Sequence, residues 1–414
     1  MQCPGCHKTD TEGYCNECRK RLFDGHRVHP TLPFSAPKAD NLALFQEKTK
    51  HLSISGVQLK YSVKREGKEL NLTERGGQYI LKPIPPSTQL IDREQAPENE
   101  HLTMQMATQL FDIHTAANGL IYFNDGTPAY LTKRFDLRTE GGKYQQEDMA
   151  QLSGRTRFTH GEDFKYSGTY EEIGRLIRNN VAAYMPALEQ FFRTVVFNYL
   201  FSNGDAHLKN FSLIQTAMGD YTLAPAYDLM CTVLHTPLES DTALDLYDGS
   251  MNDPFYASFG YYGQRGFRLL ADKIGIIPIR RDRIMTQLLS STLQVEDIIR
   301  NSFLNEKAKA DYLFAYKDKI FRMGMTKDMI GKVINPKYPG VYAPTENPIK
   351  LTLLDGKTLI GYFNPIANSD ELEKENKYSF VEIHNSTNYR TNQDPKYITT
   401  MEGDLLTKIE YTTP

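Results

Sequence analysis

The chain has 414 residues, of which 40% are hydrophobic and 24% are charged, and its formal net charge is −3. The length predicts two or three domains, and the near-neutral charge gives no basic field that would favour nucleic acid or an anionic membrane surface. The most apolar stretch, 191–201, is interrupted by Arg193 and Asn198, so it predicts a buried helix rather than a membrane span. The first residues, MQCPGC, lack the pattern of a secretion signal, and we expect a cytoplasmic protein without membrane contact.

A cysteine-rich unit is predicted at residues 1–22. Four of the five cysteines form the pattern CxxC–x8–CxxC, and they are Cys3, Cys6, Cys15 and Cys18. Two such pairs can present four thiolates to one tetrahedral ion, so the spacing predicts a closed, structural Zn²⁺ site. The alternative is a redox CxxC pair, which would need a thioredoxin-like strand and helix that this region lacks. The isolated Cys231 is predicted to be a buried core thiol.

The next two segments differ in composition. Residues 23–40 contain three prolines and no periodic apolar pattern, so they are predicted to be a linker. Residues 41–140 contain short strand-like runs, and one amphipathic helical stretch, 99–111, interrupts them. This part of the chain is therefore predicted to be a β-rich lobe.

The second half of the chain changes character. Residues 141–335 are predicted to be a helical lobe, with helices expected at 170–203 and 280–324. Residues 336–414 are predicted to be a β-rich extension, in which Asp355-Gly356 marks a hairpin between two apolar, β-branched runs. A β-rich half followed by a helical half indicates the α+β class, which many unrelated proteins share, so the motifs must decide the function.

Residues 53–60 are a candidate phosphate-binding loop, because a glycine and small residues let backbone N–H groups approach phosphate oxygens. The candidate residues of this loop are Ser55, Gly56, Gln58 and Lys60. An ordinary β-turn is the alternative. Lys82 closes the apolar run 79–82 and is predicted to reach the nucleotide phosphates, and Glu100 is predicted to pair with it from the next helix. Alternatively, Lys82 is a solvated residue at the end of a strand. Glu100 is alternatively a glutamate in the first turn of a helix, where the helix dipole favours a negative charge.

The densest polar cluster, 203–212, follows the apolar run that ends at residue 201. Asp205 is followed five residues later by Asn210, which is the spacing of a general base and a magnesium ligand in protein kinases. His207 and Lys209 are predicted to place positive charge near the γ-phosphate of ATP. Asp228, in the sequence AYDL, is the candidate second magnesium ligand, although a buried structural aspartate is the plainer interpretation.

Seven segments in order resemble the HipA family of serine/threonine kinases, and they are SISGVQLK, YILKP, ENEHL, KRFD, QEDM, GDAHLKNFSL and PAYDL. The resemblance covers residues from about 50 to 235. It implies an α+β, two-lobed protein-kinase-like fold that uses ATP and Mg²⁺. It also implies adenine contacts from the backbone of Lys133 and Phe135, a position beside the ribose for Asp136, and autophosphorylation of Ser53 or Ser55.

The resemblance further implies the toxin of a bacterial toxin–antitoxin module. Its substrate would be a serine or threonine of an aminoacyl-tRNA synthetase or another translation factor, and its partner a helix-turn-helix antitoxin that links it to DNA. The family's N-terminal β subdomain is missing before residue 50, which favours a separate small β protein as a second antitoxin. Ala206 replaces the usual glycine but leaves the reacting groups in place.

Two other functions remain open at this point. The first is a non-catalytic, kinase-like regulator that acts in a DNA-bound antitoxin complex. The second is a lipid or small-molecule kinase, because the fold does not determine the acceptor. The extension at 336–414 has no counterpart in the family and favours neither function.

Overall fold

The computed structural model describes residues 2–9, 11–38, 59–334, 348–353, 357–363, 377–403 and 406–411. The helices, in chain order, are α1 Asn16–Phe23, α2 Ala96–Leu110, α3 Met149–Leu152, α4 Arg157–His160, α5 Tyr170–Asn180, α6 Tyr184–Leu200, α7 Pro254–Phe259, α8 Gln264–Ile274, α9 Pro278–Leu289, α10 Thr292–Arg300, α11 Glu306–Ile334 and α12 Ile383–Asn392. Short 3₁₀ turns at Phe164–Tyr166 and Leu208–Asn210 also matter for the site.

The strands are β1 Tyr61–Glu66, β2 Glu69–Leu72, β3 Tyr79–Pro83, β4 Asn118–Tyr122, β5 Pro128–Lys133, β6 Gln146–Asp148, β7 Ser212–Gln215, β8 Tyr221–Leu223, β9 Ile349–Leu353, β10 Thr358–Phe363, β11 Lys377–Glu382, β12 Thr399–Glu402 and β13 Leu406–Tyr411. The chain forms two compact units, one of Met1–Asp245 with Ala271–Lys319 and one of Leu246–Leu270 with Ile320–Pro414. The predicted domain boundaries at 40, 140 and 335 stay predictions, and these units divide the chain at other positions.

The first unit is built on a five-stranded antiparallel sheet in the order β2-β1-β3-β5-β4. Alternate side chains of its strands, such as Val63, Leu81 and Leu131, are fully buried in one apolar cluster. This period-two burial is what the strand-like runs of the sequence predict. Lys82 is near the end of the central strand β3, so the sheet fixes its position.

The segment predicted to be a linker is not a free linker in the described part of the chain. Val28, Leu32 and Ala36 are buried in the same cluster as the sheet. The N–H of Leu32 donates to the carbonyl of Tyr122 over 2.7 Å, and the N–H of Tyr122 donates to the carbonyl of Pro30 over 2.9 Å. The prolines therefore interrupt regular structure, but the segment is still held in place. Its apolar side chains are buried in the core, and its backbone forms hydrogen bonds with β4.

The helical part of the first unit follows the sequence prediction. Residues 99–110 of the predicted stretch lie in α2, most of the stretch 170–203 forms α5 and α6, and most of the stretch 280–324 forms α9, α10 and the start of α11. Helix α6 is buried on most of its surface, and the ring of Phe201 just after it stacks on Tyr316 with centroids 5.0 Å apart. The apolar stretch 191–201 is thus a core helix, and no helix among the described residues is long and apolar enough to cross a membrane. The sheet and the helices confirm the α+β class.

The second unit contains a five-stranded antiparallel sheet in the order β12-β11-β10-β9-β13. Strands β9 and β10 pair as the predicted hairpin, with Thr352 opposite Thr358. The predicted turn Asp355-Gly356 lies outside the described residues. Leu351 and Phe380 are fully buried in a small core of this sheet. The β-rich extension therefore has an apolar core of its own.

Candidate active site

Lys82 is the centre of a buried cluster of charges. Its side chain is 4% exposed, and its Nζ lies 2.6 Å from Oε1 of Glu100 in α2. It also donates a hydrogen bond to Oδ1 of Asp228. Burial alone would lower the pKa of Lys82, but the Asp228 and Glu100 carboxylates raise it above its usual value. Lys82 is therefore a fixed ammonium ion, and the solvated strand end is excluded as an interpretation.

Asp228 is brought to Lys82 by a link between distant segments of the chain. The N–H of Ala226 donates to the carbonyl of His114 over 2.8 Å, and the N–H of Ala116 donates to the carbonyl of Ala226 over 2.9 Å. This link holds the segment after β8 against the loop between α2 and β4. Asp228 itself has φ = +56°, a left-handed conformation that is uncommon for residues other than glycine. Such backbone conformations cluster at functional sites.

Lys60 gives Asp228 a second cationic neighbour. Its Nζ lies 3.3 Å from Oδ2 of Asp228. Although burial opposes ionisation of Asp228, the Lys60 and Lys82 ammonium groups hold its pKa well below the usual range. The rest of the candidate phosphate loop, with Ser53, Ser55, Gly56 and Gln58, lies outside the described residues. Of the candidate loop residues, Lys60 is described, and it contacts Asp228.

The predicted catalytic loop joins α6 to β7 and has a glycine at a crowded position. A Cβ at Gly204 would lie 2.4 Å from the carbonyl oxygen of Ser240, so a side chain does not fit there. The next residue, Asp205, has a side chain that is 49% exposed. Its Oδ1 lies 3.8 Å from Nε2 of His207 and accepts a hydrogen bond of 2.6 Å from the hydroxyl of Tyr166. Asp205 is thus an accessible carboxylate that already binds a hydroxyl group.

Asn210 and Asp228 line the same pocket, although 18 residues separate them in sequence. The Oδ1 of Asn210 accepts a hydrogen bond of 3.1 Å from the backbone N–H of His207. That bond fixes the Asn210 side chain relative to the catalytic loop. An amide oxygen and a carboxylate oxygen are both ligand types that Mg²⁺ accepts.

His207 and Lys209, the two residues of the catalytic loop predicted to carry positive charge, have different surroundings. His207 is buried, and burial lowers its pKa to about 4 in spite of the nearby Asp205. Burial therefore favours the neutral form of its ring in this structure, and its predicted role near the γ-phosphate stays a prediction. Lys209 does supply a cation, which lies 3.1 Å from Oδ2 of Asp148. The sequence pattern could not reveal this difference, because it depends on desolvation of the imidazole in the fold.

The predicted adenine-binding residues lie at the end of β5. The N–H of Lys133 donates to the carbonyl of Ala117 over 2.8 Å, so it has a partner within the protein, and its Nζ lies 2.5 Å from Oδ1 of Asp24. The ring of Phe135 stacks on Tyr227 at a centroid distance of 5.9 Å. Asp136 accepts a hydrogen bond of 2.9 Å from Nε of Arg134. Their roles towards a nucleotide stay predictions.

The four clustered cysteines form a site that fits a tetrahedral metal ion. The sulfur atoms of Cys3, Cys6, Cys15 and Cys18 all lie within 4.8 Å of one another, and Cys6 and Cys15 are 3.7 Å apart. A zinc–sulfur distance of about 2.3 Å in a tetrahedron requires sulfur atoms about 3.8 Å apart. A Cβ at Gly5 would lie 2.6 Å from Sγ of Cys18, so the turn between the first two cysteines requires glycine.

The cysteine unit packs directly on the sheet and on α2. The N–H of Leu120 in β4 donates to the carbonyl of Pro4 over 2.8 Å, and the hydroxyl of Tyr14 donates to the carbonyl of Leu120 over 2.5 Å. The ring of His7 meets the ring of His101 edge to face at 4.7 Å. His101 is fully buried and follows Glu100 in the chain. The unit therefore contacts the helix that carries the carboxylate partner of Lys82.

Tyr166 is the residue of this site that the sequence prediction missed. It lies in none of the segments that resemble a kinase motif, and a tyrosine before a serine and a glycine carries no distinctive signal. Its position over Asp205 arises because the turn Phe164–Tyr166 folds back onto the catalytic loop. Only the tertiary structure brings these two segments together.

The chain is similar to several known proteins over much of its length. Residues 52–295 match the family model of the HipA-like C-terminal domain. The chain is 25% identical over 331 residues to a Haemophilus influenzae protein named "Putative kinase". The aligned region covers 76% of this chain and 94% of that protein. The chain is 35% identical over 240 residues to "Putative kinase Y4dM" of Sinorhizobium fredii, which covers 53% of this chain and 54% of that relative. The chain thus spans about half the length of the rhizobial protein.

Two solved structures show weaker likeness. The Shewanella oneidensis toxin–antitoxin complex of HipA, HipB and operator DNA matches with a TM-score of 0.49 and 19% identity, over 71% of each chain. The Helicobacter pylori proinflammatory kinase CtkA matches with a TM-score of 0.42 and 13% identity, over 64% of this chain and 93% of that one.

Proposed function

Because the chain belongs to the HipA-like C-terminal domain family, we propose that it is a serine/threonine protein kinase that uses ATP and Mg²⁺. The observation that carries the proposal is the buried contact of Lys82 with both Glu100 and Asp228. Protein kinases use a strand lysine on the nucleotide phosphates, a helix glutamate that orients it and an aspartate that binds the metal. Here the three residue types meet from β3, α2 and the segment after β8.

The remaining groups have roles that follow from their positions. Asn210 and Asp228 supply the oxygen atoms that would hold Mg²⁺, which neutralises charge on the β- and γ-phosphates when it is bound. Lys82 would donate to a phosphate oxygen of the bound nucleotide, and Lys60 and Lys209 would add positive charge. Asp205 accepts the proton of the attacking hydroxyl, because its carboxylate is exposed and already binds a hydroxyl group.

The test is incubation of the purified chain with Mg-ATP, followed by mass spectrometry of the intact protein and its peptides. We expect phosphate on Ser53 or Ser55 of the chain itself. The variant Asp205→Asn should lower the rate by about 10²–10⁴-fold while it still binds Mg-ATP, since it loses the base and keeps the nucleotide contacts. Asp220→Asn is the matched control, because that exposed aspartate bonds Thr216 in the turn between β7 and β8.

A wild-type chain that binds Mg-ATP but transfers no phosphate to itself or to any protein would contradict this proposal. That result would favour the non-catalytic regulator. Transfer to a lipid or a small metabolite in place of a protein would support the other alternative.

The family also supports a biological role for this chain. We propose the toxin of a bacterial toxin–antitoxin module, with a translation factor such as an aminoacyl-tRNA synthetase as its substrate. Its partners would be a helix-turn-helix antitoxin and a separate small β protein, and it would act in the cytoplasm. Growth arrest on expression, relieved by the products of neighbouring genes and by Asp205→Asn, is the expected outcome. Arrest that Asp205→Asn leaves unchanged would contradict a catalytic toxin.

The cysteine unit is proposed to bind one structural Zn²⁺. The sulfur spacing supports this assignment, as does the backbone N–H of Cys15, which donates to Sγ of Cys3 over 3.1 Å in the manner of a metal-bound thiolate. With four protein ligands the site has no open position for substrate. We therefore assign the metal to folding and not to the chemistry.

A further inference from the structure

The segment from Gly161 to Gly168 brings a tyrosine to the catalytic base. Within it, Tyr166 donates its hydroxyl to Oδ1 of Asp205 over 2.6 Å. Its ring lies 5.2 Å from the ring of His207 in an edge-to-face arrangement, which fixes the direction of the phenol. Tyr166 is still 38% exposed, so one side of it faces solvent.

The contact between Tyr166 and Asp205 has the geometry of a general base with its reacting hydroxyl. A base must lie about 2.6–3.2 Å from the oxygen whose proton it accepts. Burial and the hydrogen bond to Asp205 raise the pKa of Tyr166, so its oxygen carries a proton at neutral pH. A phenol that is protonated and bound to the base meets the first requirement of an acceptor in phosphoryl transfer.

Two lysines lie against aromatic rings of the turn that carries this hydroxyl. The Nζ of Lys165 lies 4.7 Å from the centroid of the Tyr166 ring, and Nζ of Lys209 lies 6.0 Å from the ring of Phe164 in the same turn. These ammonium groups can stabilise the negative charge of a transferring phosphoryl group and of the phosphorylated product. The site of Tyr166 is therefore suited to a phosphate as well as to a hydroxyl.

We propose that Tyr166 is an autophosphorylation site, modified in cis by the active site against which it lies. This inference rests on the proposed kinase function. In the step, the Tyr166 oxygen forms a bond to the γ-phosphorus of ATP, and the bond from that phosphorus to the β–γ bridging oxygen breaks. The electron pair of that bond leaves with ADP, and the phenol proton passes to Asp205.

The product would not keep the position of the reactant. A phosphotyrosine carries a charge of about −1.5 to −2 at neutral pH, and Asp205 would repel it. Gly161 with φ = +75° and Gly168 with φ = +145° flank the segment, and glycine adopts alternative backbone conformations at a lower cost than other residues. Phe158 on α4, just before the segment, is 99% exposed and does not anchor it to the core. Phosphorylation therefore frees Asp205 for the hydroxyl of a protein substrate.

The test uses the full-length variant Ser53→Ala/Ser55→Ala, which removes the two predicted acceptors in the loop. After incubation with Mg-ATP, peptide mapping by mass spectrometry should place phosphate on Tyr166. The modified fraction should rise at a rate that does not change with protein concentration, as expected for a reaction in cis. Tyr166→Phe and Asp205→Asn should abolish the signal. Tyr184→Phe is the matched control, since Tyr184 is 37% exposed and packs on Arg178 away from the loop.

Three outcomes would overturn the proposal. Phosphate on Ser53 or Ser55 of the wild-type chain with none on Tyr166 would end this inference and leave the kinase function intact. Faster serine phosphorylation in Tyr166→Phe without any phosphotyrosine in the wild type would show that the phenol competes for the base. A chain that neither binds Mg-ATP nor gains phosphate would overturn the inference together with the proposed function.

Discussion

The cysteine unit and the Lys82 cluster are two polar sites built in opposite ways. The unit draws its four cysteines from residues 3–18, whereas the cluster joins Lys60 to Asp228, which are 168 positions apart. The spacing in a short turn largely determines the geometry of the first site. The second site forms only when β3, α2 and the segment after β8 have packed. Local sites can therefore be predicted from a pattern, and dispersed sites need the fold.

The two regions are nevertheless connected through α2. This helix carries Glu100, the partner of Lys82, and the next residue, His101, packs against His7 of the cysteine unit. Strand β4 exchanges hydrogen bonds with the same unit at Leu120, whose N–H donates to Pro4 and whose carbonyl accepts from Tyr14. The local site thus supports the elements that hold the dispersed one.

The largest expected effect comes from removal of the metal. Structural zinc sites contribute roughly 10–16 kcal/mol of apparent binding free energy, which exceeds what so short a unit can gain from its own core. We expect chelation, or Cys18→Ser, to abolish protection from hydrogen exchange in residues 2–38 and to lower it in β4. The sheet β9–β13 serves as the internal control and should keep its protection.

Addition of Zn²⁺ to the chelated wild type should restore the exchange pattern, whereas Cys18→Ser should not respond. Full protection of residues 2–38 in a metal-free protein would contradict this prediction, because it would show that the cysteine unit folds without a bound metal ion.

The second largest effect is expected from substitution of Lys82 in the dispersed site. Lys82→Met should lower autophosphorylation by about 10²–10³-fold, because it removes a fixed cation from the phosphates. It should also lower the free energy of unfolding by about 3–5 kcal/mol, since Glu100 becomes a buried, unpaired carboxylate. Enzyme assays and urea denaturation measure the two changes.

The double variant Lys82→Met/Glu100→Gln separates the two roles of this pair. It should regain most of the lost stability, because no buried charge remains unpaired at residue 100, and it should stay inactive. Recovery of activity in the double variant would show that Lys82 has no catalytic part.

The smallest effect concerns Glu98, in the first turn of α2. This residue is 9% exposed, and burial raises its pKa from 4.5 to about 7. Between these two pH values the folded chain holds a proton that the unfolded chain has lost, so stability falls as pH rises through this window. Glu98→Gln should leave stability at pH 4.5 nearly unchanged and increase it by roughly 1–3 kcal/mol at pH 8.

Thermal unfolding at the two pH values, compared with Glu94→Gln, checks this expectation. Glu94 has a side chain that is 63% exposed and lies in the 3₁₀ turn before α2, so its substitution should change neither value. Equal pH dependence in Glu98→Gln and the wild type would assign the effect to another group.

Much of the fold could be predicted because its signals are local. The strand runs around Leu81 and Leu131 and the helices after residue 170 follow from apolar periodicity, and the structure confirms them. The motif residues Lys82, Glu100 and Asp228 do meet. The packing of residues 23–38 was not predicted from the sequence. Three prolines without a periodic apolar pattern are typical of a linker, and the pattern does not reveal whether the apolar side chains between them are buried.

The candidate site shows the same limit at single residues. A histidine in the catalytic loop suggests a cation from sequence, but the charge of His207 depends on how far the fold removes it from water. Tyr166 reaches Asp205 across 39 positions through a turn that has no recognisable pattern. Neither result follows from the residue type alone.

By itself, the sequence determined which chemical groups this protein possesses and the order in which they occur, since spacing within a turn or strand is a property of the covalent chain. Only the tertiary structure decided that Lys82 lies between two carboxylates, that His207 is buried and that the hydroxyl of Tyr166 binds Asp205. The physical reason is that these properties depend on distance and desolvation between segments far apart in sequence, and both are established only when the segments pack.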